Sequence, residues 1–284
     1  MTVHEVENWL ELYQEELISM IMNGKYRPMP VKRVYIPKSN GKQRPLGIPT
    51  VVDRVIQQAM AQVLTTIYEP LYSEHSFGFR PKRSAHMAME EVLNNLNEGY
   101  EWIIDLDIEK FFDTVNHDKL ISILRENVKV ATTLHLVRAY LRAGVLDNGL
   151  TKSTTIGTPQ GGPISVILSN IYLDKFDKEL ESKNLRFTRY TDDCIIFAKS
   201  GMSANRVMKS VTSWLERKLF LKVSATKTKV VRPTKGQFLG FTFYKNSKEW
   251  KCVPTKDRKK HLYFKIKKIL KRKHAVSRPL AITF

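Results

Sequence analysis

Residues 187 to 198 read FTRYTDDCIIFA, and this stretch restricts the fold more than any other. Two apolar runs flank Thr191, Asp192 and Asp193, and the second, Cys194 to Ala198, is apolar at every position, the pattern of a strand buried on both faces. The pair reads as a hairpin. Asp is depleted in strands, and adjacent carboxylates carried into an apolar hairpin repel each other and lose hydration unless a cation offsets them. A divalent metal is the simplest remedy. The plain alternative is a solvated turn, which Asp forms well through local hydrogen bonds, so the rest of the chain must decide.

A second acidic centre lies at residues 102–120, WIIDLDIEKFFDTVNHDKL. Alternation puts Trp102, Ile104, Leu106 and Ile108 on one strand face and Ile103, Asp105 and Asp107 on the other. The acids need either metal or nearby Lys and Arg partners. A helix capped by Asn116 should follow. Residues 157–182 form a Gly/Pro-rich loop running into an apolar helix, a junction whose glycines and positive helix end suit a phosphate or sugar, and which as a lone signal is also just a turn.

Elsewhere the pattern predicts a helix over 3–23, a basic hairpin over 31–49 cued by Asn40-Gly41 with Lys38, Lys42 and Arg44 at its tip, and a deeply placed helix over 53–68. The loop HSFGFRPKRS carries Arg80, Lys82 and Arg83 and suits a strand of nucleic acid. Ser203 is expected to cap a helix through Trp214. QFLGFTFY, residues 237–244, reads as an aromatic strand interrupted by Gly240, and a very basic helix with a Leu262, Ile266, Ile269 and Leu270 seam closes the chain.

Charge selects the partner. The chain has 47 Lys and Arg against 28 Asp and Glu, a net +19, and residues 245–278 alone hold fourteen basic and two acidic residues. A surplus so concentrated points to a polyanion rather than to solubility. Cys194 and Cys252, the only cysteines, cannot build a disulfide scaffold or a zinc site. An acidic, amphipathic start and the lack of a membrane-length apolar run predict a soluble, cytoplasmic protein without a membrane partner.

An acid-bearing strand near 107, a Gln-Gly loop near 160, the acidic hairpin near 192, a lysine near 227 and an aromatic-glycine strand near 239 occur together in a telling order. With IPKSNGKQRPLGIPTVVDRVIQQA, HSFGFRPKRSAHMA, DLDIEKFFDTVNHDKL, GTPQGG, NIYLD, RYTDD, KTK and FLGF, the chain resembles the reverse transcriptases encoded by bacterial group II introns, which also act as splicing maturases. The likeness runs from about residue 28 to 255.

The resemblance implies an α+β right-hand polymerase fold: fingers over 1–100, a palm with an antiparallel ferredoxin-like sheet over 101–252 containing a helical insertion near 119–155, and the start of a thumb, or domain X, over 253–284. The usual N-terminal extension and most of the thumb are expected to be missing. It further implies RNA-directed DNA synthesis with two Mg2+ ions, Mn2+ substituting, held by Asp107, Asp192 and Asp193 and by the carbonyl of Ile108. Lys38, Arg44, Arg80, Phe112, Gln160 and Lys227 would meet the incoming nucleotide. Phe112, an aromatic where RNA polymerases of this type usually carry Asp, would clash with a ribose 2′-hydroxyl and so select dNTPs. Phe238, Leu239 and Gly240 would grip the primer, while Arg83, Lys259, Lys260, Lys267 and Lys268 would bind nucleic acid. The implied partners are group II intron RNA, an RNA template with a DNA primer, dNTPs and, where apolar surface is bared, a second copy of the chain in a homodimer. Two alternatives stand beside this: an RNA-binding splicing cofactor with idle acids, and another lineage such as a retron or diversity-generating element. Thr191, where the family more often has Ala, and Val166, where it more often has Pro, depart from the pattern without removing a required group.

Overall fold

A computed structural model of the chain describes residues 2–37, 41, 43–158 and 160–270. The N-terminal stripe forms α1 (Val6–Met22), which seats Leu17 in a small cluster with Ile56, Leu136 and Tyr140. The basic hairpin follows as β1 (Val31–Pro37) and β2 (Gln43–Ile48), antiparallel, with Pro37 opposite Gln43. Thr50 caps α2 (Val51–Tyr68) by accepting the Asp53 amide proton. This helix is less deep than its composition predicts. It buries Ile56, Leu64 and Tyr68 but leaves Val63 and Ile67 exposed, because only one stripe of an apolar helix can face a single core.

Ser84 caps α3 (Ala85–Asn97), after which come β3 (Trp102–Asp107), the single turn α4 (Phe111–Thr114), α5 (His117–Asn127) and α6 (Ala131–Arg142). Asn116 caps α5 as the sequence indicates, its side chain accepting from the Lys119 amide. A small hairpin, β4 (Val145–Asp147) and β5 (Leu150–Lys152), was not legible in the sequence. It lies beside β1 in a four-stranded sheet ordered β2-β1-β4-β5, with β4 parallel to β1.

α7 (Pro163–Ser182) is buried on almost every side, from Ile164 through Leu180, and so forms the axis on which other elements pack. Then follow β6 (Phe187–Tyr190), β7 (Asp193–Ala198) and α8 (Gly201–Lys218). Ser200 caps α8, accepting from the Ser203 amide, so the cap sits one turn ahead of the expected Ser203. β8 (Lys229–Val231) completes an antiparallel sheet ordered β6-β7-β3-β8. With α7 and α8 as its crossings, this is the split βαβ arrangement of ferredoxin-like sheets, as the α+β reading requires.

QFLGFTFY is two strands rather than one. β9 (Gln237–Phe238) and β10 (Phe241–Asn246) pair antiparallel, and the residues between them, Leu239 and Gly240, both have positive φ, 50° and 84°. Two left-handed residues in succession make a tight hairpin turn. β11 (Glu249–Pro254) extends this sheet, and α9 (Lys256–Ile269) follows with no buried residue.

The two-residue period of β3 and β7 separates two cores. Ile104, Leu106, Cys194, Ile196 and Ala198 face α5, α7 and α8, whereas Ile103, Ile195 and Phe197 face α3, Phe238 and Phe243. That second cover ends at Ile195. Beyond it, on the same face, stand Asp105, Asp107 and Asp193.

Candidate active site

The acids meet through strand register. Asp107 closes β3 and lies directly opposite Asp193, the first residue of β7, so their Cβ atoms are close neighbours across the ladder. Asp192 occupies the two-residue turn between β6 and β7. The Asp193 carboxyl is pushed up to about 6, first by the protein packed around it, although the residue stays partly open to solvent, and then by the like charges of Asp192, Asp105 and Asp107. This is a concentration of negative charge that a cation relieves.

Lys227 supplies part of that relief. Its ammonium lies 3.0 and 2.9 Å from the two carboxylate oxygens of Asp107. Asp105 pairs with Lys229 at 3.4 Å, so it takes a structural partner; burial nevertheless raises its pKa. As hard oxygen donors, Asp107, Asp192 and Asp193 suit a divalent ion by chemistry. Among the described residues, however, no group of three or more His, Cys, Asp or Glu side chains is disposed to hold one metal ion. Lys227 occupies Asp107, and the Thr191 hydroxyl donates to an oxygen of Asp192 at 2.9 Å.

The turn carrying Asp192 is strained and held from behind. Thr191, β-branched, sits at φ 60°, a conformation such residues rarely adopt. Arg189, fully buried on β6, donates to the Thr191 carbonyl at 2.9 Å, to Asn170 at 3.1 Å, to the Ser76 hydroxyl at 2.8 Å and through two nitrogens to Asp177 at 2.7 and 2.5 Å. Asn170 in turn donates to the Gly78 carbonyl at 2.8 Å. Gly78 lies so close that a Cβ there would come within 2.4 Å of the Thr191 nitrogen. The loop around 75–80 is thus a back-plate for the acidic turn, joined to β6 by reciprocal bonds, Phe77 to the Arg189 carbonyl and Arg189 to the His75 carbonyl, both at 2.9 Å.

That role overturns the nucleotide-binding expectation for Arg80. Its guanidinium is buried and committed to the Glu69 carboxylate and to the carbonyls of Ser73 and Ser76 at 2.6 and 2.7 Å. Arg83 is partly spent as well, paired with Glu74 and stacked over the Phe77 ring, which leaves little of it for nucleic acid. The sequence reading missed Arg189, Asp177 and Asn170. An arginine inside an apolar hairpin and an aspartate on the inner face of an apolar helix were the available signals.

Phe112 lies on α4, half-buried, with its ring edge against Phe111 at 5.2 Å. The Gln160 loop is stitched over it. Thr158 donates its amide to the Phe112 carbonyl at 2.7 Å, Gly157 to that of Val115 at 2.8 Å, and buried His117 meets the Gly157 carbonyl through Nε2 at 2.7 Å. Burial lowers the His117 pKa, which keeps the ring neutral and Nε2–H the donor. On its other side the loop accepts the Gly47 amide at the Gln160 carbonyl, 2.7 Å, which ties it to β2.

Arg44 on β2 is exposed and opposite Ile36; Lys38 lies outside the described residues. Ile108 is buried and bridges Val223. The Phe238 ring is buried in the second core, which leaves the partly exposed Leu239-Gly240 turn as the accessible part of the expected primer grip. That turn docks on α9, the Thr255 amide bonding the Gly240 carbonyl at 2.9 Å. Lys259, Lys260, Lys267 and Lys268 are exposed on α9.

Comparison with known proteins agrees with this geometry. A family model for reverse transcriptase (RNA-dependent DNA polymerase) matches residues 36–243. Protein YkfC of Escherichia coli K12 is 34% identical over 270 residues, covering 81% of this chain and 70% of YkfC. The group II intron-encoded protein LtrA of Lactococcus lactis subsp. cremoris is 39% identical over 182 residues, 64% of this chain but 30% of LtrA. An apo telomerase structure from Candida tropicalis superposes with a TM-score of 0.61 at 14% identity, covering 86% of this chain and 53% of the telomerase, a likeness of fold. With the family model spanning most of the chain and the acids of its hairpin meeting at the end of a ferredoxin-like sheet, the chain belongs to the reverse transcriptase family.

Proposed function

We propose that this chain is the fingers-and-palm part of a group II intron-encoded reverse transcriptase, which extends a DNA primer on intron RNA with dNTPs and binds that RNA as a cytoplasmic splicing maturase. One observation carries the reading: Asp107 faces Asp193 across the sheet, beside the turn of Asp192 and near the loop that closes over Phe112. Asp107, Asp192 and Asp193, with the Ile108 carbonyl, would hold two Mg2+ ions or Mn2+ in their place. Such ions, when bound, acidify the attacking 3′-hydroxyl and offset the charge on the phosphate.

The rest falls to the chain's own groups. The exposed edge of Phe112 would lie against the sugar and exclude a 2′-hydroxyl. Gln160 would contact nucleotide and template, while Lys38 and Arg44 would bind the triphosphate. Lys227, whose ammonium lies 2.9 Å from an Asp107 oxygen, would donate a proton to the departing pyrophosphate. The Leu239-Gly240 turn would seat the primer end, and Lys259, Lys260, Lys267 and Lys268 would pair with phosphates and give salt-sensitive binding.

The test is primer extension on an RNA template with dNTPs and Mg2+, beside a filter-binding assay on structured intron RNA. Extension abolished by Asp192→Asn supports the reading. A second reading, a splicing cofactor with idle acids, has one observation in its favour, the neutralisation of Asp107 by Lys227. RNA binding without extension, unchanged by Asp192→Asn, would establish that second reading instead.

A further inference from the structure

Behind the Gln160 loop, where α2 and α6 meet the start of α7, lies a cavity of about 20 Å³ lined by Gln57, Tyr140, Thr158, Gly162 and Ser165 among apolar neighbours. Three of these residues bring buried polar atoms that make no hydrogen bond with the protein: Oε1 of Gln57, the hydroxyl of Tyr140 and Oγ1 of Thr158. Each residue is at least nine-tenths buried, and each comes from a different segment. Buried polar atoms are seldom left unpaired, so three lining one small cavity require a common partner.

Asp53, one turn before Gln57 on α2, accepts from the Tyr26 hydroxyl at 2.8 Å, the Thr50 hydroxyl at 2.6 Å and the Met29 amide at 3.3 Å, and as an acceptor it has no proton to offer Gln57 Oε1. Tyr140 stands beside Asp53 and Tyr26, and burial followed by the charge of Asp53 keeps its phenol protonated, so it remains a donor. Gln57 Oε1 reaches so far toward the loop that a Cβ on Gly162 would come within 2.5 Å of it. A side chain there would push the Gln57 amide aside.

We propose that this cavity is a binding site for one water molecule, which joins α2 and α6 to the Gln160 loop. A water needs roughly 10–15 Å³ of such space and two to four polar partners, and the site offers both. The donors and acceptors balance. The water donates one proton to Gln57 Oε1, accepts the Tyr140 hydroxyl proton, and keeps a donor and a lone pair for Thr158 Oγ1, whose hydroxyl can take either role. The loop that covers Phe112 is then fixed from beneath by solvent as well as by its backbone bonds. The inference does not depend on polymerase activity.

Two measurements test it on the intact chain. A crystal structure at a resolution that orders other waters should show one water within hydrogen-bonding distance of at least two of the three side-chain atoms. Water-proton or oxygen-17 magnetic relaxation dispersion should count one fewer long-lived water in Gln57→Met/Thr158→Val than in the parent. Thr158→Val alone, nearly isosteric, should shorten that water's residence at least tenfold, and it serves if the double variant does not fold. A dry cavity, direct bonding among Gln57, Tyr140 and Thr158, or an unchanged count of long-lived waters would each overturn the proposal.

Discussion

Replacing Arg189 should separate what the acidic turn needs for folding from what it needs for chemistry. The guanidinium makes five hydrogen bonds, two of them to Asp177, and neither side chain of that pair is more than 1% exposed. Arg189→Met leaves the Asp177 charge buried and unpaired, which costs about 3–5 kcal/mol. Against the 5–15 kcal/mol or so typical of a folded domain, that is a large share, and it should appear as a lower urea midpoint with an unchanged slope. Arg189→Met/Asp177→Leu removes both charges, so stability should return to within about 1–2 kcal/mol of the parent. The Thr191 carbonyl, however, still lacks its donor in the double variant. A turn held at φ 60° only by its surroundings then relaxes, moving Asp192 by a fraction of an ångström to about one. Misplacement on that scale costs on the order of 100-fold in rate, so primer extension should stay depressed after stability recovers. Full recovery of extension in the stable double variant, or a loss below about 1 kcal/mol in Arg189→Met, would refute the clamp.

Gly78→Ala should destabilise by about 1–3 kcal/mol and slow extension, since its Cβ would come within 2.4 and 2.5 Å of the Thr191 nitrogen and Cγ2; a variant with the parent's urea midpoint would contradict this contact. Asp174 on α7 is raised to about 6 from an ordinary 3.8, by burial first and then by Asp177, so the fold favours its protonated form and loses stability as pH climbs from about 4 to 6. Asp174→Asn should therefore be more stable than the parent by up to about 2–3 kcal/mol at pH 8, with no difference below pH 4; equal urea midpoints at both pH values would exclude the effect. Phe112→Ala should raise rNTP incorporation relative to dNTP at least tenfold in single-nucleotide extension, and an unchanged ratio would remove Phe112 from sugar selection.

What could be read from the sequence was what depends on near neighbours. The cap at Asn116, the alternation of β3 and the unbroken apolar run of β7 each follow from a side chain meeting its own backbone or a sheet face, and all are present. The misread features depend on partners remote in sequence or on backbone angles that residue type does not reveal. Nothing in leucine announces φ 50°, so the Leu239-Gly240 turn looked like one strand with a flaw. Glu69 precedes Arg80 by eleven residues across a bent loop, so that cation looked free. β4 and β5 are three residues each and gain their place only by pairing with β1. The acidic centre was legible as a set of residues because the hairpin and β3 were; its present contacts, Lys227 on Asp107 and Thr191 on Asp192, were not.

The same distinction decides which of the many cations can meet a polyanion. A basic residue set among acids in a glycine-containing loop is taken up by the fold: Arg80 by Glu69, Arg83 by Glu74, and in the buried hairpin Arg189 by Asp177. Each such pair contributes to the formal surplus of neither sign. α9 differs in kind. Along Lys256–Ile269 there is one acid, Asp257, no residue is buried, and Lys259, Lys260, Lys267 and Lys268 all face solvent. A helix with no buried residue gains little packing energy from its own chain, and like charges spaced three and four apart along it repel. Its position is nevertheless fixed at one end, where Arg258 lies against Gly240 and Thr255 bonds the same turn. The turn assigned to the primer end and the most basic helix are therefore one mechanical unit, and phosphates bound along α9 would steady both together.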